Sequence, residues 1–521
     1  RCAGALSERQ HLEKTTALRG SLDLMLSIPG ADAYPHVLAW KGVVSDRQAR
    51  LRSLAQRSKD PEVRKLGREL DETARKLAIL SVLSPVGEEA EAHRKELADA
   101  LARLEEKEKA LARAEPTLAI RSLAPKELAA RLPEGTALVD LLAFQRSGGK
   151  RETAAFVVRA GAEVRRIDLG LEEELEKAVR AWRESVQAGG TGGEALGKLL
   201  LAPLRPHLVG VKALLVSPDG PAARIPWGAL PGKKAGTWLL EEMAVAVLPV
   251  PRQSGTKGEA PSPALLVVGE VDYDAPSAKA RAESRSGLRS GTESWAALPG
   301  TKAEAEAVSA AFARAFPERD AKLLRKKEAT EDGVRRLVAG RTHVHFATHG
   351  FFAPERKRAS LPPGLLSGLV LAGANAKPDP AADDGILTAR EVAELDLSSC
   401  ELATLSACET GLGLSAGGEG LLGLQRAFQV AGARSALASL WKVPDAATAL
   451  LMERFYDNLW KRRMGKAEAL REAQLFVLEK GTAHPRLLRA LKLESGTTTT
   501  RAGDRTPPLA WAAWVLSGDG R

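Results

Sequence analysis

From residue 134 to the C-terminus, short apolar runs of five to eight residues alternate with longer stretches of helical periodicity. A chain written this way buries both faces of a sheet beneath helices, which is the α/β arrangement. In a first series, Ala137–Phe144, Thr153–Val158 and Val164–Asp168 read as strands, Glu172–Gln187 as a helix and Ala213–Ser217 as another buried strand. A second series opens at Ala264–Gly269. It continues through a helix over Lys302–Ala315, strands Thr342–Ala347 and Leu402–Ser406, a helix over Glu419–Ala431 and strand Ala436–Trp441. Helices over Ala446–Lys461 and Lys466–Glu479 complete it. The polar stretch Pro251–Pro263 reads as a connection between the two series, and Asp274–Thr292 and Glu494–Pro508 read as loops.

Upstream the pattern is helical. Val63, Leu66, Leu70, Thr73, Leu77 and Leu80 fall on a three-four spacing, and Leu97, Leu101, Leu104 and Leu111 repeat it after Ser84-Pro85-Val86-Gly87. Two amphipathic helices joined at that turn predict an antiparallel hairpin within about 46–115. Such a hairpin serves either as a packed part of its own protein or as a partner-binding arm. The expected organisation is a helical region over 1–133, an α/β unit over 134–250, a linker over 251–263 and a second α/β unit over 264–521. No 34-residue repeat is evident.

A length of 521 residues leaves room for three or four domains. Lys and Arg exceed Asp and Glu by 76 − 66 = 10, but the signs are mixed along the chain and aromatics are only 4%. A nucleic-acid surface needs a basic stripe with stacking rings, so direct nucleic-acid binding is not expected. Three cysteines, Cys2, Cys400 and Cys408, are too few for a disulfide framework and fit a reducing cytoplasm. No apolar run approaches the ~18 residues that span a membrane, and no signal peptide opens the chain.

Two strand ends carry chemistry. Phe346-Ala-Thr-His349-Gly350 ends a buried strand on a histidine, and Leu405-Ser-Ala-Cys408-Glu-Thr-Gly411 ends another on a cysteine. Ligands of open α/β sheets meet the crevice beyond the carboxyl ends of strands. If these strands are parallel neighbours, His349 and Cys408 emerge side by side, and an imidazole beside a thiol raises the thiolate fraction. Gly350, lacking Cβ, lets a substrate approach the backbone, and its N–H with that of Cys408 supplies an oxyanion hole. Cys400 precedes a strand and reads as inert. His343, His345 and His349 share one phase of a strand, but no carboxylate or cysteine completes a metal set at a recognised spacing. Neither metal nor cofactor is expected. The glycine-rich Gly411–Gly423 lacks the Gly-Lys-Ser/Thr ending of a phosphate loop and reads as a flexible substrate-binding loop before a helix.

At these residues the chain resembles CHAT-domain proteins, the bacterial branch of the caspase and separase protease clan. The matching segments are Ala347-Thr-His-Gly-Phe-Phe352, Ser367-Gly-Leu-Val-Leu-Ala-Gly373, Asp384-Gly-Ile-Leu-Thr-Ala-Arg-Glu-Val392 and Leu405-Ser-Ala-Cys-Glu-Thr-Gly-Leu-Gly413. Gly418-Glu-Gly420, Ser439-Leu-Trp-Lys-Val-Pro-Asp445 and Trp511-Ala-Ala-Trp-Val-Leu-Ser-Gly-Asp519 follow in order, so the resemblance covers roughly 264–521. It implies a caspase-like sheet flanked by helices, preceded by a second, inactive protease-like α/β unit over 134–250 and the N-terminal helical region. It further implies a cysteine endopeptidase with His349 as general acid/base and Cys408 as nucleophile. Their separation of 59 positions is close to the roughly 50 of caspases.

In separase-like relatives the segment after the tryptophan of Ser-Leu-Trp lines a specificity pocket. The resemblance therefore implies substrate-binding roles for Trp441 and Asp445, although Asp445 equally suits the N-cap of the following helix. Lys442 stands where an acidic residue is more usual. Asp384 and Glu419 either face the cleft or brace loops. The family often carries tetratricopeptide repeats upstream, and a chain starting at Arg1 without an initiator Met is expected to have had them trimmed or left outside. The expected partners are a protein substrate and a regulatory protein, with activity regulated by that partner or by the upstream repeats, in bacterial defence or cell-death signalling. The competing expectation is a non-catalytic adaptor that uses the fold as a binding platform.

Overall fold

The computed structural model describes residues 6–82, 89–114, 123–147, 149–253, 261–276, 294–352, 363–376, 383–407, 413–416, 420–494, 501 and 504–520. The helical region opens with α1 (Glu8–Ser27), whose N-terminus is closed by a reciprocal box: the Ser7 hydroxyl accepts from the Gln10 N–H, and the Gln10 side chain accepts from the Ser7 N–H. Then come α2 (Tyr34–Trp40), α3 (Val43–Arg57), α4 (Pro61–Val82) and α5 (Glu89–Ala114). The hairpin is α4 against α5. Residues 46–57 belong instead to α3, because Pro61 fits the first turn of a new helix and cannot continue an old one. The turn Ser84–Gly87 lies outside the described residues. Leu70, Leu77, Leu104 and Leu111 close the hairpin seam, and Leu365 from the second α/β unit joins the same cluster. The hairpin is packed on its own protein.

The first series contributes β1 (Thr136–Gln145), β2 (Arg151–Arg159), β3 (Arg165–Leu171), β4 (Ala213–Ser217) and β5 (Ala244–Val247). The second contributes β6 (Leu265–Val271), β7 (Ala321–Lys326), β8 (His343–Ala347), β9 (Gly350–Phe352), β10 (Ser367–Val370), β11 (Ile386–Thr388) and β12 (Leu402–Ser406). It ends with β13 (Gly413–Ala416), β14 (Gly420–Gly423), β15 (Ser435–Ser439) and β16 (Trp514–Gly518). Eleven of these strands form one sheet in the order β3-β2-β1-β4-β5-β16-β15-β12-β8-β6-β7. Its pairs are parallel except β1–β2, β2–β3 and β15–β16.

Both faces of the sheet are covered, as the strand alternation requires. On one face a single core runs under both halves, from Val139 and Val179 through Leu265 and Phe312 to Leu451 and Leu516. On the other face α1 and α2 cover the first half at Leu138 and Phe156, and the helices Glu331–Val338 and Leu424–Val430 cover the second at Val344 and Phe346. The fold class is therefore the one expected: α/β, a large sheet between helices, with a helical N-terminal region.

The expected helix over 419–431 starts later. Gly420–Gly423 is β14, paired antiparallel with β13 (Gly413 opposite Gly423), and the helix runs Leu424–Val430. Glycines carry little helix propensity, so Gly413–Ala416 and Gly420–Gly423 form paired strands where a loop running into a helix was predicted. At the expected linker, Pro251 and Arg252 are buried, and the Arg252 guanidinium reaches the carbonyls of Leu38 and Ala39. Residues 254–260, 277–293, 495–500 and 502–503, which take in most of the segments read as loops, lie outside the described residues. Among the described residues no helix is long and apolar enough to cross a membrane.

Candidate active site

β8 and β12 are adjacent and parallel, with Ala347 opposite Ser406. Their backbones leave the sheet side by side at its carboxyl edge. His349 follows Ala347 by two residues, as Cys408 follows Ser406 in sequence. Cys408 and Glu419 themselves lie outside the described residues. The end of β12 is tied to β15, since the Ser439 hydroxyl donates to the Ala407 carbonyl at 2.9 Å. The end of β8 is tied to β10. The Thr348 hydroxyl donates to the Val370 carbonyl, and the Val370 N–H donates to the His349 carbonyl at 2.9 Å.

The His349 ring is half-buried between two aromatic rings, Tyr273 and Trp295, at centroid distances of 5.2 and 5.3 Å. The Tyr273 hydroxyl donates to Thr348 Oγ1 at 3.0 Å, which fixes that ring beside the imidazole. His349 Nε2 lies 2.8 Å from the carbonyl of Ala296. A carbonyl only accepts, so Nε2 carries the proton and Nδ1 is left as the basic nitrogen of the neutral ring. The other histidines of β8 are used differently. His345 is buried, with Nδ1 2.9 Å from the Tyr456 hydroxyl, which itself donates to Thr404 Oγ1, and with Nε2 3.2 Å from Glu304. His343 packs edge-on to Phe312 and Trp460, and burial pushes its imidazole down to about 3. Burial pushes the Cys400 thiol up to about 12, so it stays protonated and inert.

The profile of the CHAT domain matches residues 191–519, more than half of the chain. The chain belongs to the CHAT-domain family. Human tetratricopeptide repeat protein 28 is 26% identical over 322 residues, an alignment covering 56% of this chain and 12% of that protein. The chain thus spans about an eighth of the length of that relative. Among solved structures, a Saccharomyces cerevisiae separase–securin complex is similar at a TM-score of 0.44 and 9% identity, covering 91% of this chain and 37% of that one. The Arg-specific cysteine proteinase gingipain R is similar at a TM-score of 0.37 and 11% identity, covering 67% of this chain and 74% of that one.

Within this CHAT domain the expected site residues separate. Gly350 starts β9 and pairs with Leu369 of β10, directly after His349. Asp445 is exposed and is the first residue of the helix Asp445–Tyr456; Pro444 takes the N-cap position, so the capping alternative does not hold. The Asp445 carboxylate lies against Gly300, where a Cβ would come within 2.8 Å of it. Gly300 opens a 16-residue helix four positions after Ala296, and the positive end of that helix favours the carboxylate there. Trp441, expected at the substrate, is buried: its indole N–H donates to the Leu509 carbonyl at 3.0 Å, and the Arg183 guanidinium covers its ring. It is part of the core shared by the two halves. Asp384 is also buried. Its Oδ1 accepts from the Ile386 N–H at 2.8 Å among the carboxylates of Glu331 and Glu391, so it braces the approach to β11. Tyr273, Trp295 and the Ala296 carbonyl went unread in the sequence. The only available signal was an aromatic residue on each flank of a polar segment.

Proposed function

We propose that this CHAT domain is a cysteine endopeptidase working through His349 and Cys408. The parallel register that sets Ala347 opposite Ser406 carries the reading, because it directs both chains to one sheet edge. The Cys408 thiol gives its proton to His349 Nδ1, and the thiolate attacks the scissile carbonyl carbon. The N–H groups of Gly350 and Cys408 receive the developing oxyanion. The imidazolium returns the proton to the leaving amine, which departs and leaves a thioester. Water, deprotonated by the same nitrogen, attacks that thioester and releases the acid and the free thiol. Ala296 holds the ring in the tautomer this sequence needs. Asp445 and Glu419 are the proposed specificity contacts, with Asp445 suited to a basic side chain. The substrate is a protein, and activity is controlled by a protein partner or by upstream repeats, in bacterial defence or cell-death signalling in the cytoplasm.

The test is the alkylation rate of Cys408 by iodoacetamide against pH, with Cys400 as internal control. Cys408 is expected to react at least about tenfold faster than Cys400 at pH 7, and His349→Ala is expected to remove the advantage. Equal rates at both cysteines in the wild type would favour a binding platform over an enzyme.

A further inference from the structure

One residue links the two rings and the carbonyl that flank the imidazole. Asn375 lies in the turn after β10. Its Oδ1 accepts from the Trp295 N–H at 2.8 Å, and its Nδ2 donates to the Trp295 carbonyl at 3.0 Å. Both polar groups of one residue are thus gripped at once, as a neighbouring strand would grip them. Nδ2 also donates to Asp274 Oδ1 at 2.8 Å, and the backbone N–H of Asn375 donates to the Tyr273 carbonyl at 2.9 Å. Only one orientation of the amide satisfies this set, because it offers oxygen to the N–H and nitrogen to the two acceptors.

Trp295 and Tyr273 are the two rings that flank His349, and Ala296, next in the chain, is the carbonyl on Nε2. Trp295–Pro299 has no regular secondary structure of its own. Without a tether, its peptide at Ala296 is free to turn away, and the imidazole loses both its tautomer and its orientation.

We infer that Asn375 is a positioning residue for the catalytic histidine, acting through the backbone of Trp295 to hold the Ala296 carbonyl on His349 Nε2. The inference rests on the proposed dyad. In this role Asn375 acts on the imidazole through Trp295 and Ala296, so its loss weakens the base. A side chain that only stabilised the fold would lower the melting temperature without moving a titration.

The experiment is the pH profile of Cys408 alkylation by iodoacetamide in the full chain, read by mass spectrometry, alongside thermal melting. Wild type, His349→Ala, Asn375→Ala, Asn375→Asp, Asp274→Asn and the double variant of the last two are compared. Asn375→Asp keeps the shape and the acceptor but loses the donor to the Trp295 carbonyl, and combined with Asp274→Asn it keeps the local charge, so that pair decides the matter if Asn375→Ala fails to fold. The Asn375 variants are expected to move the labelling midpoint towards that of His349→Ala. At pH 7 they should label about tenfold more slowly, as for a one-unit rise in the thiol pKa. Asp274→Asn, which leaves both bonds to Trp295, is expected to superimpose on wild type. A profile that shifts in His349→Ala but not in folded Asn375 variants overturns the positioning role and spares the dyad. A profile indifferent to His349→Ala overturns the dyad first.

Discussion

Lys41 carries its ammonium into a site with no exposed surface, where Nζ lies 2.7 Å from Asp140 Oδ1. It also donates to the carbonyls of Leu141 and Ser217 at 2.8 and 2.9 Å and to the Ser217 hydroxyl at 2.7 Å. The Tyr34 hydroxyl meets the other Asp140 oxygen at 3.2 Å. One residue after α2 is thereby joined to β1 and β4, which fixes the helical region on the sheet. Removing the cation strands a buried carboxylate, so Lys41→Met is expected to cost about 3–5 kcal/mol in denaturant unfolding. The double variant Lys41→Met with Asp140→Leu should recover much of that, and a single variant as stable as wild type would contradict the pairing. Nothing in the sequence marked this pair. His349 was legible because a strand end and a following glycine are local signals, whereas Lys41 and Asp140 stand 99 positions apart and each is an ordinary charged residue until the fold brings them together.

At the scale of elements, the small sheet β9–β10–β11 links Gly350 to the helix Ala389–Val392, which the helical region grips. Glu391 joins that grip through Arg335. Its Oε2 accepts from the Thr388 N–H and hydroxyl at 3.0 and 2.8 Å, and its Oε1 lies 2.9 Å from Arg335. Arg335 also faces Glu331 and Asp71 of α4, each at 3.6 Å. Burial raises the Glu391 carboxyl, the Arg335 guanidinium lowers it and the Asp384 charge raises it, which together leave it pushed up to about 7. A carboxyl raised on folding binds a proton in the native state that the unfolded chain has already lost. Its stabilisation is therefore present below about pH 4.5 and is lost as pH rises through 7. Glu391→Gln keeps the acceptor for Thr388 and removes the titration. Wild-type stability relative to this variant is expected to fall by on the order of 2–3 kcal/mol between pH 5 and 8, and a flat difference in denaturant midpoints would refute it. Elements with strong periodicity were readable: β4, β12 and the helix Glu172–Gln187 fall where the pattern puts them. β7 was not, because as an edge strand it buries only Leu324, and charges on an edge look like a loop. β9 and β11 were missed because three residues are too few for any period to register.

At the scale of the whole molecule, what joins the two α/β halves is the last strand of the chain. β16 pairs with β15 over five residues on one side and meets β5 at Ser517 opposite Val247 on the other. That adjacency was invisible in the sequence, since the pairing spans 270 positions (517 − 247) and no local pattern records its partner. Beneath the joint one core holds residues from both halves, including Trp182 and Trp227 from the first and Trp441, Leu509 and Leu516 from the second. Arg183 crosses the boundary as well, donating to the Leu440 carbonyl at 3.1 Å. Shared burial of this kind makes the halves unfold together. Gly518 tests the idea because it is the terminal hinge of β16: its φ is +108°, and a Cβ there would run into the Arg434 carbonyl. Gly518→Ala is expected to cost about 2 kcal/mol or more, combining backbone strain with that clash. The decisive reading is how the loss is distributed. If the core is one unit, calorimetry gives a single transition in wild type and variant alike, displaced downward as a whole. Proteolytic susceptibility in 134–250 then rises in step with that in 264–521, although the substitution touches only the second. If the first half keeps its own transition at the wild-type temperature, the two cores are independent and β16 is merely a neighbour.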